Sequence, residues 1–174
     1  MADTPLPASP LPADPAAFRG VTISAAPPLE RWSLRGRDRA VLEGVIARKL
    51  PERIGEVRDG AVCLGPDEWL LRAPAGARIG DGAGAACAVV DISHRAVAIA
   101  LAGPAAAEVI AAGCPRDIAR FALGYATRTV FEGVEVIVER TGDQAFTLEV
   151  WRSFAPWLWA GLAQVAADLE FTPA

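Results

Sequence analysis

The sequence predicts an α+β fold: a split βαβ, ferredoxin-like antiparallel sheet with helices packed on one face. Three observations lead there. Each half of the chain reads as strand, helix, strand, strand. The strand runs alternate apolar and polar residues, whereas the helical runs repeat every three to four residues. Turn signals at Gly65-Pro66-Asp67 and Glu132-Gly133 separate the paired strands.

The elements follow in order. Residues 1–18 carry Pro5, Pro7, Pro10, Pro12 and Pro15. With no basic start and no apolar run, this stretch is not a signal peptide. It reads as a disordered, polyproline-like tail, and residues 19–174 as a single domain with room for a core. Residues 21–24 and 32–34 are short strands, the second ended by Gly36. Asp38 caps a helix running to about Leu50, with Leu42, Val45 and Ile46 on one face and Pro51 as the stop. Residues 61–64 and 68–72 are strands, and residues 74–84 a loop rich in Gly and Ala. Residues 88–92 form a buried-type strand that carries on through Ser93 and His94, and Val97, Ile99 and Leu101 mark the next. Pro104 and Gly113 bracket a helix. Residues 127–131 and 134–139 form a hairpin. Phe146, Leu148 and Val150 point one way, and Thr147, Glu149 and Trp151 the other. The last helix begins near Ser153 and tolerates Pro156 in its first turn. Its apolar face holds Phe154, Leu158, Leu162, Val165 and Leu169.

Composition narrows the function. The chain has 174 residues, 52% hydrophobic and 22% charged, with a net charge of −4. Its 17 basic residues are scattered, and Lys49 is the only lysine. That excludes the basic footprint of a nucleic-acid binder. The best uncharged stretch, residues 96–107, is too short for a membrane span and contains Gly103 and Pro104. Cys63, Cys87 and Cys114 fit no zinc spacing, and their odd number argues against a disulfide framework. A reducing cytosol is the expected setting.

Catalytic groups are scarce. Gly80-Asp81-Gly82-Ala83-Gly84-Ala85 imitates a dinucleotide fingerprint, but its third glycine is misplaced. His94 is the only histidine. On one strand, Ser93 and His94 point to opposite faces and form no nucleophile–base pair, so His94 reads as a satisfied structural residue. Glu135 and Glu139 are about 13 Å apart by strand rise, too far for joint acid–base work, and read as a solvated face. No catalytic, cofactor-binding or metal residue is assigned. Trp32 and Trp69 read as core. Trp151, Trp157 and Trp159 leave two alternatives: a broad packed face, or, with Arg152, part of a protein interface.

A set of ordered segments points to a family. They are Ser33-Leu34-Arg35-Gly36, Leu64-Gly65-Pro66-Asp67-Glu68-Trp69-Leu70-Leu71, Asp91-Ile92-Ser93-His94-Arg95 and Gly103-Pro104. Ala107-Glu108-Val109-Ile110, Gly113-Cys114-Pro115-Arg116-Asp117, Arg128-Thr129 and Glu149-Val150-Trp151-Arg152-Ser153-Phe154-Ala155 follow. In this order the chain resembles the gamma subunit of heterotetrameric sarcosine oxidase. The resemblance implies a fold similar to the folate-binding domain of aminomethyltransferases. It implies an accessory, non-catalytic role beside alpha, beta and delta subunits. Such a complex oxidises sarcosine to glycine, makes hydrogen peroxide and passes the methyl carbon to tetrahydrofolate. FAD, FMN, NAD and zinc belong to its other subunits. The docking candidates on this chain are His94, Arg95, Arg128, Trp151, Arg152, Trp157 and Trp159. Asp91 and Arg95 pair internally or across an interface, and Arg128 and Arg152 are candidates for buried ionic contacts. One departure is plain: aminomethyltransferases place an Asp after a Gly-rich hairpin, and residues 131–136 hold none. The alternative is a stand-alone folate-binding or one-carbon-transfer protein of that fold.

Overall fold

A computed structural model describes residues 9–170. Strands β1 (Ala16–Phe18), β2 (Val21–Ala25) and β3 (Glu30–Arg35) precede helix α1 (Arg39–Ile46). Strands β4 (Val57–Arg58), β5 (Ala61–Gly65), β6 (Glu68–Ala73) and β7 (Ala88–Asp91) come next. Strand β8 (Ala96–Ala102), helix α2 (Ala106–Ala111) and a 3-10 turn (Ile118–Arg120) follow. Strands β9 (Ala126–Phe131), β10 (Val134–Gly142) and β11 (Ala145–Trp151) lead into helix α3 (Ala155–Glu170).

The α+β class and the antiparallel pairing hold, but the strands divide between two sheets where one was expected. One sheet has the order β1-β2-β8-β11-β10-β9, the other β4-β5-β6-β3-β7. The first half keeps the ferredoxin-like order: β6 inserts between β3 and β5, and β7 lies outside β3. The second half departs from it. There β9, β10 and β11 form a meander that docks on β8 through β11.

Each sheet carries helices on one face only. Val109 and Ile110 of α2, with Leu158 and Leu162 of α3, pack on Ile99, Leu101 and Leu148 of the six-stranded sheet. Leu42 and Ile46 of α1 pack on Leu34, Trp69 and Leu71 of the five-stranded sheet. The opposite faces meet each other through a small apolar cluster of Val62, Leu70 and Ala126 with Ile92 and Ile137. Among the described residues the chain passes between the sheets twice, after β2 and after β7. The two crossings are tied together: the Arg31 amide donates to Ser93 Oγ at 2.9 Å, and the Ile92 amide to the Arg31 carbonyl at 2.8 Å.

Local chemistry explains several boundaries. Asp38 caps α1 by accepting the Ala40 amide at 2.9 Å. Pro51 does not end that helix. Ala47 does, at φ 53°, because Glu43 captures the Leu50 amide at 3.0 Å and Lys49 Nζ at 2.7 Å and folds the chain back. Glu132 (φ 45°) and Gly133 (φ 88°) make the tight turn of the β9–β10 hairpin. Gly113 serves packing: a Cβ there would lie 2.8 Å from the buried Phe131 ring.

Other expectations are corrected. The proline-rich stretch is not a free tail from residue 9 onward, since Leu11 is buried in the first core and β1 pairs with β2. Residues 1–8 lie outside the described residues. Strand β7 is not buried: it is an edge strand with Val90 50% exposed. It also stops at Asp91, and Ser93, His94 and Arg95 form a turn. Phe154 precedes α3 and is exposed, off the buried face of that helix. The glycine-rich loop lies against α1, where a Cβ at Gly80 would come within 2.3 Å of the Val45 carbonyl oxygen. Among the described residues no helix is long and apolar enough to cross a membrane.

Candidate functional site: an ionic seam and a cation–aromatic platform

The facing surfaces of the two sheets are charged as well as apolar. Alternation puts Trp32 and Leu34 of β3 toward α1, so Arg31 points into the seam. In β11 it puts Leu148 and Val150 toward α3 and Glu149 into the seam. The two meet there. Arg31 Nε donates to Glu149 Oε2 at 2.6 Å and Nη2 to Oε1 at 3.3 Å, with both residues buried. Arg31 Nη1 donates to the Leu29 carbonyl at 2.6 Å. Arg72 of β6 extends the chain of charges, with Nη1 3.7 Å from Glu149 Oε1 and Nη2 2.6 Å from Glu139 Oε2. Glu139 is therefore buried and paired, and the solvated face expected for it is wrong. Its Oε2 makes the short ion-pair contact without a well-aligned hydrogen bond.

A second set lies nearer the surface. Arg128 of β9 grips Glu68 of β6 with both terminal nitrogens, at 2.9 and 2.6 Å. Arg35 adds a contact to Glu68 at 3.0 Å, and Glu135 approaches Arg128 at 3.7 Å. The Arg128 hydrogen bonds hold the Glu68 carboxyl below its ordinary range, against the opposing effect of burial. The same bonds raise Arg128 above its ordinary value. Arg128 thus belongs to the seam and bridges the sheets.

At the second crossing the seam gives way to a platform. Asp91 Oδ1 accepts the Ser93 amide at 2.8 Å, which turns the chain. Asp91 and Arg95 do not pair. Instead the Arg95 guanidinium lies over the Trp151 ring, 4.8 Å from its centroid. The Arg152 amide donates to the Arg95 carbonyl at 2.7 Å and fixes the two loops together. Trp151 is 50% exposed, Trp157 46% and Phe154 48%. Trp159 is partly buried and packs on the first core. Trp32 and Trp69 are core residues. His94 is exposed in the turn and makes no side-chain hydrogen bond among the described residues, so it is not the satisfied structural residue expected. Ser93 is buried with its hydroxyl committed to Arg31.

Of the residues singled out from sequence, Arg95, Trp151 and Arg152 come together, with His94 beside them and Trp157 in the first turn of α3. Arg128 lines a small cavity between the sheets together with Glu68 and Trp151, and Trp159 packs on the first core. Sequence reasoning missed Arg31, Arg72 and Glu149. A signal was present: Arg72 and Glu149 each stand between two apolar residues within a strand, and Arg31 and Glu139 each have an apolar residue on one side.

The ion pairs brace the two sheets against each other, and His94 is exposed while the Ser93 hydroxyl is buried against Arg31. Comparison with known proteins agrees with a partner role. The family model described as SoxG, sarcosine oxidase gamma subunit family, matches residues 40–168. A sarcosine oxidase subunit gamma from Arthrobacter sp. is 33% identical over 62% of this chain and 59% of its own. The alignment thus spans less than two thirds of that relative. The subunit gamma from Corynebacterium sp. (strain P-1) is 30% identical over 74% of this chain and 71% of its own. A chain of the heterotetrameric sarcosine oxidase from Corynebacterium sp. U-96, solved with pyrrole 2-carboxylate, superposes with a TM-score of 0.77 at 26% identity. That match covers 93% of this chain and 91% of the other. Aminomethyltransferase T of the glycine cleavage system from Bartonella henselae gives 0.63 at 19% identity, over 82% of this chain and 45% of that one. The second likeness is one of fold. The chain belongs to the sarcosine oxidase gamma subunit family.

Proposed function

We propose that the chain is an accessory, non-catalytic subunit of a sarcosine-oxidase-type flavoenzyme complex. The observation that carries this reading is the match over 91% of a chain from a heterotetrameric sarcosine oxidase. The complex oxidises the N-methyl group of sarcosine, releases glycine and hydrogen peroxide, and delivers the one-carbon unit to tetrahydrofolate. The alpha, beta and delta subunits hold FAD, FMN, NAD and the folate. This chain supplies a braced surface, set in a reducing cytosol. Its three free cysteines suit that setting. Exposed tryptophans beside arginines support docking, since both residue types are enriched at interfaces.

Co-expression tests the reading. The chain should elute with its large subunits as one species in gel filtration, in a constant ratio. Elution of the large subunits as an active assembly without the chain contradicts it. Calorimetry on the isolated chain separates the alternative: micromolar binding of tetrahydrofolate without partners favours a stand-alone folate protein.

A further inference from the structure

We infer that the Arg95–Trp151 platform receives an extended acidic segment of a partner subunit, with one apolar side chain in an adjoining cavity and one carboxylate on Arg95. This rests on the accessory-subunit reading and adds the chemistry of the docking contact.

Two recesses adjoin at this surface. A cavity of about 460 Å³ opens where the chain crosses between the sheets, lined mainly by Leu11, Ala25, Pro28, Leu29, Val97 and Ala98. A shallower hollow of about 520 Å³ lies beside it, formed by Pro10, Arg95, Trp151, Arg152, Ser153 and Pro156. Arg152 walls both, and Pro10 lines the hollow while its neighbours Ser9 and Leu11 line the cavity. Two adjoining recesses suit an extended segment, which carries successive side chains to different points along its length.

The cavity calls for an apolar occupant. The polar groups at its floor are committed: Arg31 to Glu149 and the Leu29 carbonyl, Ser93 to the Arg31 backbone. The hollow calls for an acid. Among the described residues, no carboxylate lies within ion-pair distance of Arg95, whereas Arg31, Arg72 and Arg128 all have one. The Trp151 ring beneath Arg95 orders its guanidinium, so little freedom remains to be lost when a carboxylate arrives. His94 stands alongside, and this basic spot interrupts a chain whose net charge is −4. Trp151, Phe154 and Trp157 supply the large exposed aromatic area that dominates interface energetics.

The test is the dissociation constant between the full chain and the assembly of its remaining subunits, at low and high salt. Trp151→Ala and Arg95→Ala should each weaken binding about tenfold, and Arg95→Glu should do so more severely. Salt should weaken the wild type more than Arg95→Ala. Arg116→Ala, on an exposed loop, should bind as the wild type does. Both target side chains are exposed, so matching thermal melts are expected and confirm folded variants. If the wild type binds and these variants bind equally well, the platform is not the docking site, and the subunit reading stands. Sensitivity to Trp151→Ala alone, without salt dependence, overturns the acidic occupant. Self-association of the isolated chain through Trp151 makes the occupant a second copy. If the wild type fails to bind at all, the subunit reading falls and this inference with it.

Discussion

Glu149 takes two hydrogen bonds from Arg31 while Arg72 approaches the same carboxylate, all in the closed seam between the sheets. Burying these charges is expensive, and only their mutual pairing offsets it. Removing one partner should therefore cost more than removing the pair. Arg31→Ala or Glu149→Ala is expected to lose about 3–5 kcal/mol in urea unfolding. The double replacement Arg31→Met with Glu149→Leu should recover much of that loss. A double variant no more stable than the single ones would deny that the two act as a unit. Glu68 makes a pH-dependent contribution of definite sign. Its folded pKa lies below its ordinary value of 4.5, so its stabilisation is present above that value and is lost as pH falls through the folded one. Unfolding free energies measured across the acid range should fall less steeply for Glu68→Gln than for the wild type.

The elements respond to close packing rather than to propensity alone. Gly113 has Phe131 against the position of its missing Cβ, and that ring is fully buried. Gly113→Ala should cost about 1–3 kcal/mol through overpacking. Gly44, on the exposed side of α1 with open space around it, should behave oppositely. Gly44→Ala is expected to raise stability by about 0.5–1 kcal/mol, read as an increase in the urea midpoint. Much of this scale was legible in the sequence. The hairpin at Glu132-Gly133, the helix after Pro104 and the apolar stripe of Leu158 and Leu162 all follow from period and turn chemistry. The seam was not, because alternation along a strand separates two faces but does not say what covers the second one. Glu139 looks solvated until a second sheet is laid over it. The turn at Ser93 was hidden for a related reason. The strand before it is an edge of small apolar residues, and Asp91 ends it through a bond to the Ser93 amide that no periodicity reveals.

At the scale of the whole molecule, two helix-backed sheets are joined by charges and by two crossings tied to each other. The second crossing places Arg95 against Trp151, the β11–α3 turn adds Phe154, and the first turn of α3 adds Trp157. A seam of paired charges below an exposed aromatic surface suits the proposed role as an accessory subunit. The family is legible in the ordered segments rather than in any one residue, and each segment has a place in the folded chain. Asp91 to Arg95 builds a crossing, Glu68 and Arg128 bridge the sheets, and Trp151 to Phe154 forms the platform. Hydrogen–deuterium exchange of the chain, free and within its co-purified assembly, tests docking as an accessory subunit most directly. Protection on assembly should concentrate at residues 91–95 and 151–157, with α1 unchanged. Identical exchange in both states across the whole chain would contradict the account.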